Sequence, residues 1–185
     1  MVKGIMLMAD GVEETESVAC HDILTRAGIS LDAVSIKDCH RIHTSMGLTI
    51  KVEKNIKEIE DFSTYDFIVI PGGKVGVANI DKSKKAISII EDFYDSGKLM
   101  CAICAGPYIL GRLGYLDNIH FTCFPGFQIG KGIYEDVGAV EDGKIITGHS
   151  MYYTIEFAER IVKYYLGQAG LEKIYHGTRG ADSVK

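Results

Sequence analysis

The sequence lacks the features that mark several protein classes. No apolar run reaches the ~18–20 residues needed to span a bilayer, so no membrane segment is expected. The opening MVKGIMLMADGVEE has too short an apolar stretch for a secretory signal and carries no A-x-A site. Basic clusters are missing as well. Lys and Arg number 20 against 25 Asp and Glu, a net charge of −5, which argues against nucleic acid as a partner. Glycine, at 21 of 185 residues, follows no triplet repeat, which excludes a collagen-like rod. No linker, internal repeat or low-complexity segment divides the chain, so one domain over residues 1–185 is expected. The cysteines are five, an odd count without secretory context, which excludes a disulfide framework. They read as thiols in a reducing compartment, the cytoplasm.

What is present is an alternation of strand and helix patterns. Lys3–Met8 is a short apolar strand, and Glu13–Ala27 follows as a helix with Val18, Ile23 and Leu24 at helical spacing and Gly28 closing it. Strand patterns recur at 29–36 and 48–52. Phe67–Ile70 and Leu99–Ile103 are unbroken apolar runs of the kind buried on both faces of a parallel sheet. Between them 83–94 places Ala86, Ile87, Ile90 and Phe93 on one helical face, with Ser83 as N-cap. A short helix runs from Pro107 through Leu113, and 137–140 with 144–147 reads as a hairpin. Residues 151–166 form an amphipathic helix with Ile155, Ala158, Ile161, Val162 and Tyr165 inward; a last short helix at 171–175 precedes a fraying tail. The pattern predicts an α/β doubly wound, three-layer sandwich with a mostly parallel sheet.

Such sheets bind ligands at the carboxyl ends of their strands. Three segments leave strands there: 10–16, 71–76 and 103–107. Cys104 stands where a buried strand turns into a helix, followed by the small residues Ala105 and Gly106 and then Pro107. That is the pattern of a nucleophile elbow, and the helix start adds partial positive charge. Both favour a thiolate, so the Cys104 pKa is expected below the free value of ~8.5; the competing reading is a buried structural cysteine. Cys101 and Cys104 are spaced as C-x-x-C, but Cys101 lies inside the strand. No second C-x-x-C or His pair stands at zinc spacing, so no metal or other cofactor is expected. Gly72 and Gly73 allow close backbone approach, and an N–H there with that of Ala105 can receive an oxyanion; a plain turn is the simpler reading. No G-x-G-x-x-G opens a helix after the first strand. Glu13 and Glu14 read as a solvated first turn. Glu16 can instead point back toward the strand ends, where desolvation raises a carboxyl pKa. Of six histidines, His149 has a good location for a Cys–His mechanism, although a satisfied surface or capping role is the simpler reading for any one of them.

Together ADGVEETE at 9–16, FIVIPGG at 67–73 and AICAGPYIL at 102–110 resemble the ThiJ/PfpI family, and within it the DJ-one-like branch of the class I glutamine amidotransferase-like superfamily. The resemblance implies a flavodoxin-like sandwich and a homodimer. It implies a thiolate at Cys104 bonded to a protonated Glu16, with the Gly73 and Ala105 N–H groups nearby. The activities implied are those on small reactive carbonyls (glyoxalase III or deglycase type), a peroxide-responsive redox role, or a cysteine peptidase or amidase. The sequence departs from the family in three places. Phe124 stands where the branch commonly has a histidine, Met46 where it often has an arginine, and His149 at the place of another pocket arginine. The substrate pocket, with Gly72, Met46 and Phe124 among its expected walls, is therefore less basic and more apolar, and proton work falls to Glu16 or His149.

Overall fold

The structure is a computed structural model and describes residues 1–179. The expected fraying tail lies in part at 180–185, outside the described residues. The chain opens with a strand, Lys3–Met8 (β1), and a helix, Glu14–Ala27 (α1), whose first turn is capped by the Glu13 carboxylate accepting the Glu16 N–H at 2.7 Å. Ser30–Ser35 (β2) returns beside β1 in parallel. Arg41–His43 (β3) and Thr49–Lys51 (β4) then form a separate antiparallel ribbon, and Lys54–Asn55 (β5) rejoins the main sheet as its edge.

The second half carries the most apolar strands. Phe67–Ile70 (β6) and Leu99–Ile103 (β7) are buried at every residue, as their unbroken apolar runs predict. Between them lie two helices, Lys74–Lys82 (α2) and Lys84–Asp95 (α3), joined at Ser83. Its hydroxyl accepts the Ala86 N–H and starts the second. Pro107–Arg112 (α4) follows β7 with proline in its first turn. Two short strands, His120–Phe121 (β8) and Ile133–Tyr134 (β9), pair with each other in parallel; Ala139–Asp142 (β10) and Ile145–Gly148 (β11) form the hairpin. The long helix Thr154–Arg179 (α5) is broken at Gly167.

The seven-stranded sheet has the order β10-β11-β7-β6-β1-β2-β5, parallel throughout except for β10. From β1 the chain winds one way to β2, and from β6 the other way to β7. Right-handed crossovers in opposite directions put their helices on opposite faces, which gives three layers. α1 packs against α5, and α2 against α3. The expected flavodoxin-like α/β sandwich is thus the observed fold. Local readings differ in four places. Residues 49–51 are a strand in the side ribbon rather than the sheet. Residues 74–82 form a helix that the sequence pattern does not predict. Val18 and Ile155 are exposed rather than inward, and Phe157 takes the buried place near Ile155.

Candidate active site

The strand order reverses between β1 and β6, so the turns after β1, β6 and β7 converge at the sheet's carboxyl edge. Cys104 directly follows β7 with φ +62°, a left-handed conformation that disfavours side chains. The surroundings hold it there: its N–H donates to the Gly148 carbonyl at 2.8 Å, and its carbonyl accepts the Phe124 N–H at 2.9 Å. This strained strand-to-helix turn lifts the side chain out of the sheet, as a nucleophile elbow requires. Cys104 is half-buried. Cys101, three residues earlier, is fully buried, and burial pushes its thiol far up.

Glu16 reaches the same point from the first turn of α1 and has no exposed surface. Its Oε2 accepts the Gly72 N–H at 2.7 Å, its Oε1 is buried without a hydrogen-bond partner, and the carboxyl lies beside the Cys104 side chain. Gly72 is glycine for a reason of space. A Cβ there would stand 2.5 Å from Glu16 Oε2 and 2.7 Å from Cys104 Cβ. Gly73, at φ +86°, turns the chain so that its N–H faces the Cys104 sulfur, as does the N–H of Ala105.

The electrostatics correct one expectation. Burial pushes the Glu16 carboxyl from 4.5 up to about 7, against the Cys104 and Gly72 hydrogen bonds that lower it. Burial also pushes the Cys104 thiol up. The Glu16 charge and hydrogen bond add to this, while the Ala105 and Gly73 N–H groups work the other way. The expected lone, depressed thiolate is therefore not what these surroundings favour. Burial, with the Glu16 carboxyl adding to it when ionised, outweighs two backbone N–H groups and a helix start of six residues. The two acids form one coupled pair, whose protons are lost from the pair rather than from either residue alone.

A cavity of about 580 Å³ opens over the sulfur. Its floor is Gly73, Cys104 and Ala105, and Met46 and Phe124 stand on its walls; Gly72, expected among the walls, is instead buried between Glu16 and Cys104 and does not line it. Val75, Phe127 and the Thr44–Ser45 loop complete it, and Glu13 and Lys74 are its charged residues. Glu13 caps α1 rather than standing free in solvent. The sequence reading missed Val75 and Lys74 because it missed α2, and missed Phe127 because it lies in a loop without periodicity. His149 does not line this cavity. Its Nε2 lies 3.2 Å from Asp136 Oδ1, its ring meets Tyr153 edge-on, and its Nδ1 is buried without a partner. Among the described residues, no group of three or more His, Cys, Asp or Glu side chains is placed to hold a metal ion, and no helix is long and apolar enough to cross a membrane.

A parallel α/β sheet with a strained cysteine elbow, backed by a buried acid from the first helix, defines a class of cysteine-centred sandwiches. The chain belongs to the DJ-1/PfpI family, which it matches over residues 2–164. It is 27% identical over 170 residues to the Parkinson disease protein 7 homolog of Danio rerio, with 89% of this chain and 90% of that one covered. An uncharacterised protein of Methanocaldococcus jannaschii is 32% identical over 142 residues, covering 74% and 68%. Among solved structures, oxidised DJ-1 of Toxoplasma gondii superposes with a TM-score of 0.88 at 29% identity, over 96% of this chain and 97% of the other.

Proposed function

We propose that the protein uses Cys104 to process small reactive carbonyl compounds, in the manner of a glyoxalase or deglycase. The observation that carries this reading is the half-buried Cys104 sulfur at the floor of an open cavity, with a buried proton acceptor and two backbone N–H groups directed at it. The sulfur attacks an aldehyde carbon as its proton passes to the Glu16 carboxylate. A C–S bond forms, and the carbonyl electron pair moves to oxygen, where the Gly73 and Ala105 N–H groups receive it. Glu16 then returns the proton to that oxygen, giving a neutral thiohemiacetal. For a 2-oxoaldehyde, moving the C1 hydrogen to C2 as a proton leaves a thioester, and water releases a 2-hydroxy acid. No external oxidant or reductant is consumed. The expected result is that Cys104→Ala keeps the fold but consumes no methylglyoxal. Wild-type protein that turns over no more than this variant ends the proposal.

A second reading is favoured by one observation. Neither Phe124 nor His149 supplies a proton-transfer group to the cavity. Oxidation by a peroxide needs less proton traffic: the sulfur takes one oxygen, the O–O bond breaks, and water or an alcohol leaves, giving sulfenic acid, and a second peroxide molecule repeats the step to give sulfinic acid. Mild peroxide should then add two oxygens to Cys104 before any other cysteine, read by peptide mass. A peptidase or amidase reading is weaker, since His149, its candidate base, is turned to Asp136. The protein is further proposed to work in the cytoplasm as a homodimer. All five thiols are free, and α1 and the ribbon strand β4 expose a shallow recess at Val18, His21, Ile50 and Lys51. A monomer mass in solution at micromolar concentration would count against the dimer.

A further inference from the structure

The walls above Cys104 are more apolar than a three-carbon oxoaldehyde needs. Met46, Val75 and Phe124 are 79%, 60% and 45% exposed, and all three face one cavity. Phe127 joins them, its ring 6.5 Å from that of Phe124 and tilted by 63°, an edge-to-face arrangement. Apart from the exposed Lys74 ammonium, the polar side chains on the same rim are already engaged. The Thr44 hydroxyl donates to the Leu48 carbonyl at 3.2 Å, and the Ser45 hydroxyl to Glu14 Oε2 at 3.0 Å. The Glu13 carboxylate is held by the Glu16 N–H. Hydrocarbon gathered beside a nucleophile, in a space of about 580 Å³, is the chemistry of a site that takes a bulky apolar group.

We propose that the substrate of Cys104 is an aldehyde or 2-oxoaldehyde bearing an aromatic or branched apolar body, with Met46, Val75, Phe124 and Phe127 as the specificity surface. The inference rests on the reading of Cys104 as a carbonyl nucleophile. The reactive carbonyl carbon lies over the sulfur, its oxygen toward the Gly73 and Ala105 N–H groups. The body lies against the two phenyl rings and the Met46 thioether, a polarizable group suited to aromatic contact. A methyl group in the same place leaves most of that wall in water. Each additional buried carbon should improve discrimination, as it does in hydrophobic specificity pockets generally.

The test is competitive turnover of phenylglyoxal and methylglyoxal by the full chain, expressed as the ratio of kcat/KM values. The same ratio is measured for the Phe124→Ser/Met46→Ser double variant, whose changes lie at exposed positions. The expected result is a preference for phenylglyoxal of about tenfold or more, falling most of the way to unity in the double variant. Equal use of the two aldehydes by the wild type overturns the proposal alone, because Cys104 chemistry is then demonstrated without the preference. A preference that survives unchanged in the double variant also overturns it. Consumption of neither aldehyde ends it together with the carbonyl reading. A second measurement does not depend on turnover. Rates of Cys104 alkylation by N-benzyl iodoacetamide and iodoacetamide, each divided by its rate with N-acetylcysteine, should differ at least tenfold in favour of the benzyl reagent. A normalised ratio near one counts against the apolar surface.

Discussion

Replacing Glu16 with glutamine removes a charge from the interior while keeping the shape of the side chain, and pH decides what this does to stability. Glu16 is fully buried, one oxygen holding the Gly72 N–H and the other without a conventional donor. Its pKa rises from 4.5 to about 7, chiefly through burial. Over that interval the folded protein keeps a proton that the unfolded chain has released. The stability this group contributes is therefore complete below pH 4.5 and is lost as pH climbs through 7. At ~1.4 kcal/mol for each tenfold change in proton affinity, the loss amounts to about 3 kcal/mol. Glutamine cannot ionise and escapes this loss. Urea denaturation of wild type and Glu16→Gln across this range reads the difference directly. The two proteins should lie closest at the acid end, and the difference should then shift by about 3 kcal/mol in favour of the variant as pH passes 7. A difference that stays flat with pH, or moves the opposite way, would refute the claim that Glu16 stores a proton in the folded state.

Gly72→Ala should cost about 1–3 kcal/mol, because its Cβ has no room between Glu16 Oε2 and Cys104 Cβ. It should also slow iodoacetamide labelling of Cys104, which intact-protein mass spectrometry follows. Phe157→Ala empties a fully buried ring position on α5 and should cost about 3–5 kcal/mol, seen as a lower urea midpoint with little change in slope. Ser83→Ala removes the hydroxyl that caps α3 and should cost about 1 kcal/mol, measured the same way.

The parts of the fold that were legible in the sequence are those whose signal is local. β6 and β7 are short apolar runs bounded by glycine or proline, and no other element type suits a run of four or five buried residues ended so abruptly. The side ribbon was harder. Residues 49–51 alternate as a strand should, but alternation states which residues share a face and says nothing of which strand lies alongside. α2 escaped because it starts directly after the Gly72–Gly73 turn and carries Gly76 in its interior, where glycine weakens the helical pattern. Val18 breaks the inward pattern of α1 by lying exposed beside the β3–β4 ribbon region, a long-range neighbour that no short window contains. At the site, Cys104, Ala105, Gly72 and Gly73 were readable because strand-to-turn geometry fixes their backbone. The sulfur's electrostatic balance was not readable. A helix start argues for an ionised sulfur, and only the packed structure sets a carboxylate and a buried environment against it. His149 occupies the location that sequence suggested, just past β11, but its ring is turned to Asp136 and Tyr153, and side-chain direction is not written in chain order.

Glu16 and Cys104 come from opposite ends of the fold's assembly: one from the opening helix, the other from the far side of the sheet's reversal. The acid reaches the sulfur only once β1, β6 and β7 lie side by side. A nascent or partly unravelled chain carries the same cysteine without its companion, as an ordinary thiol. The chemistry of this one atom thus reports on whether the three central strands have come together, and a labelling pulse during refolding should see it change character only once they have.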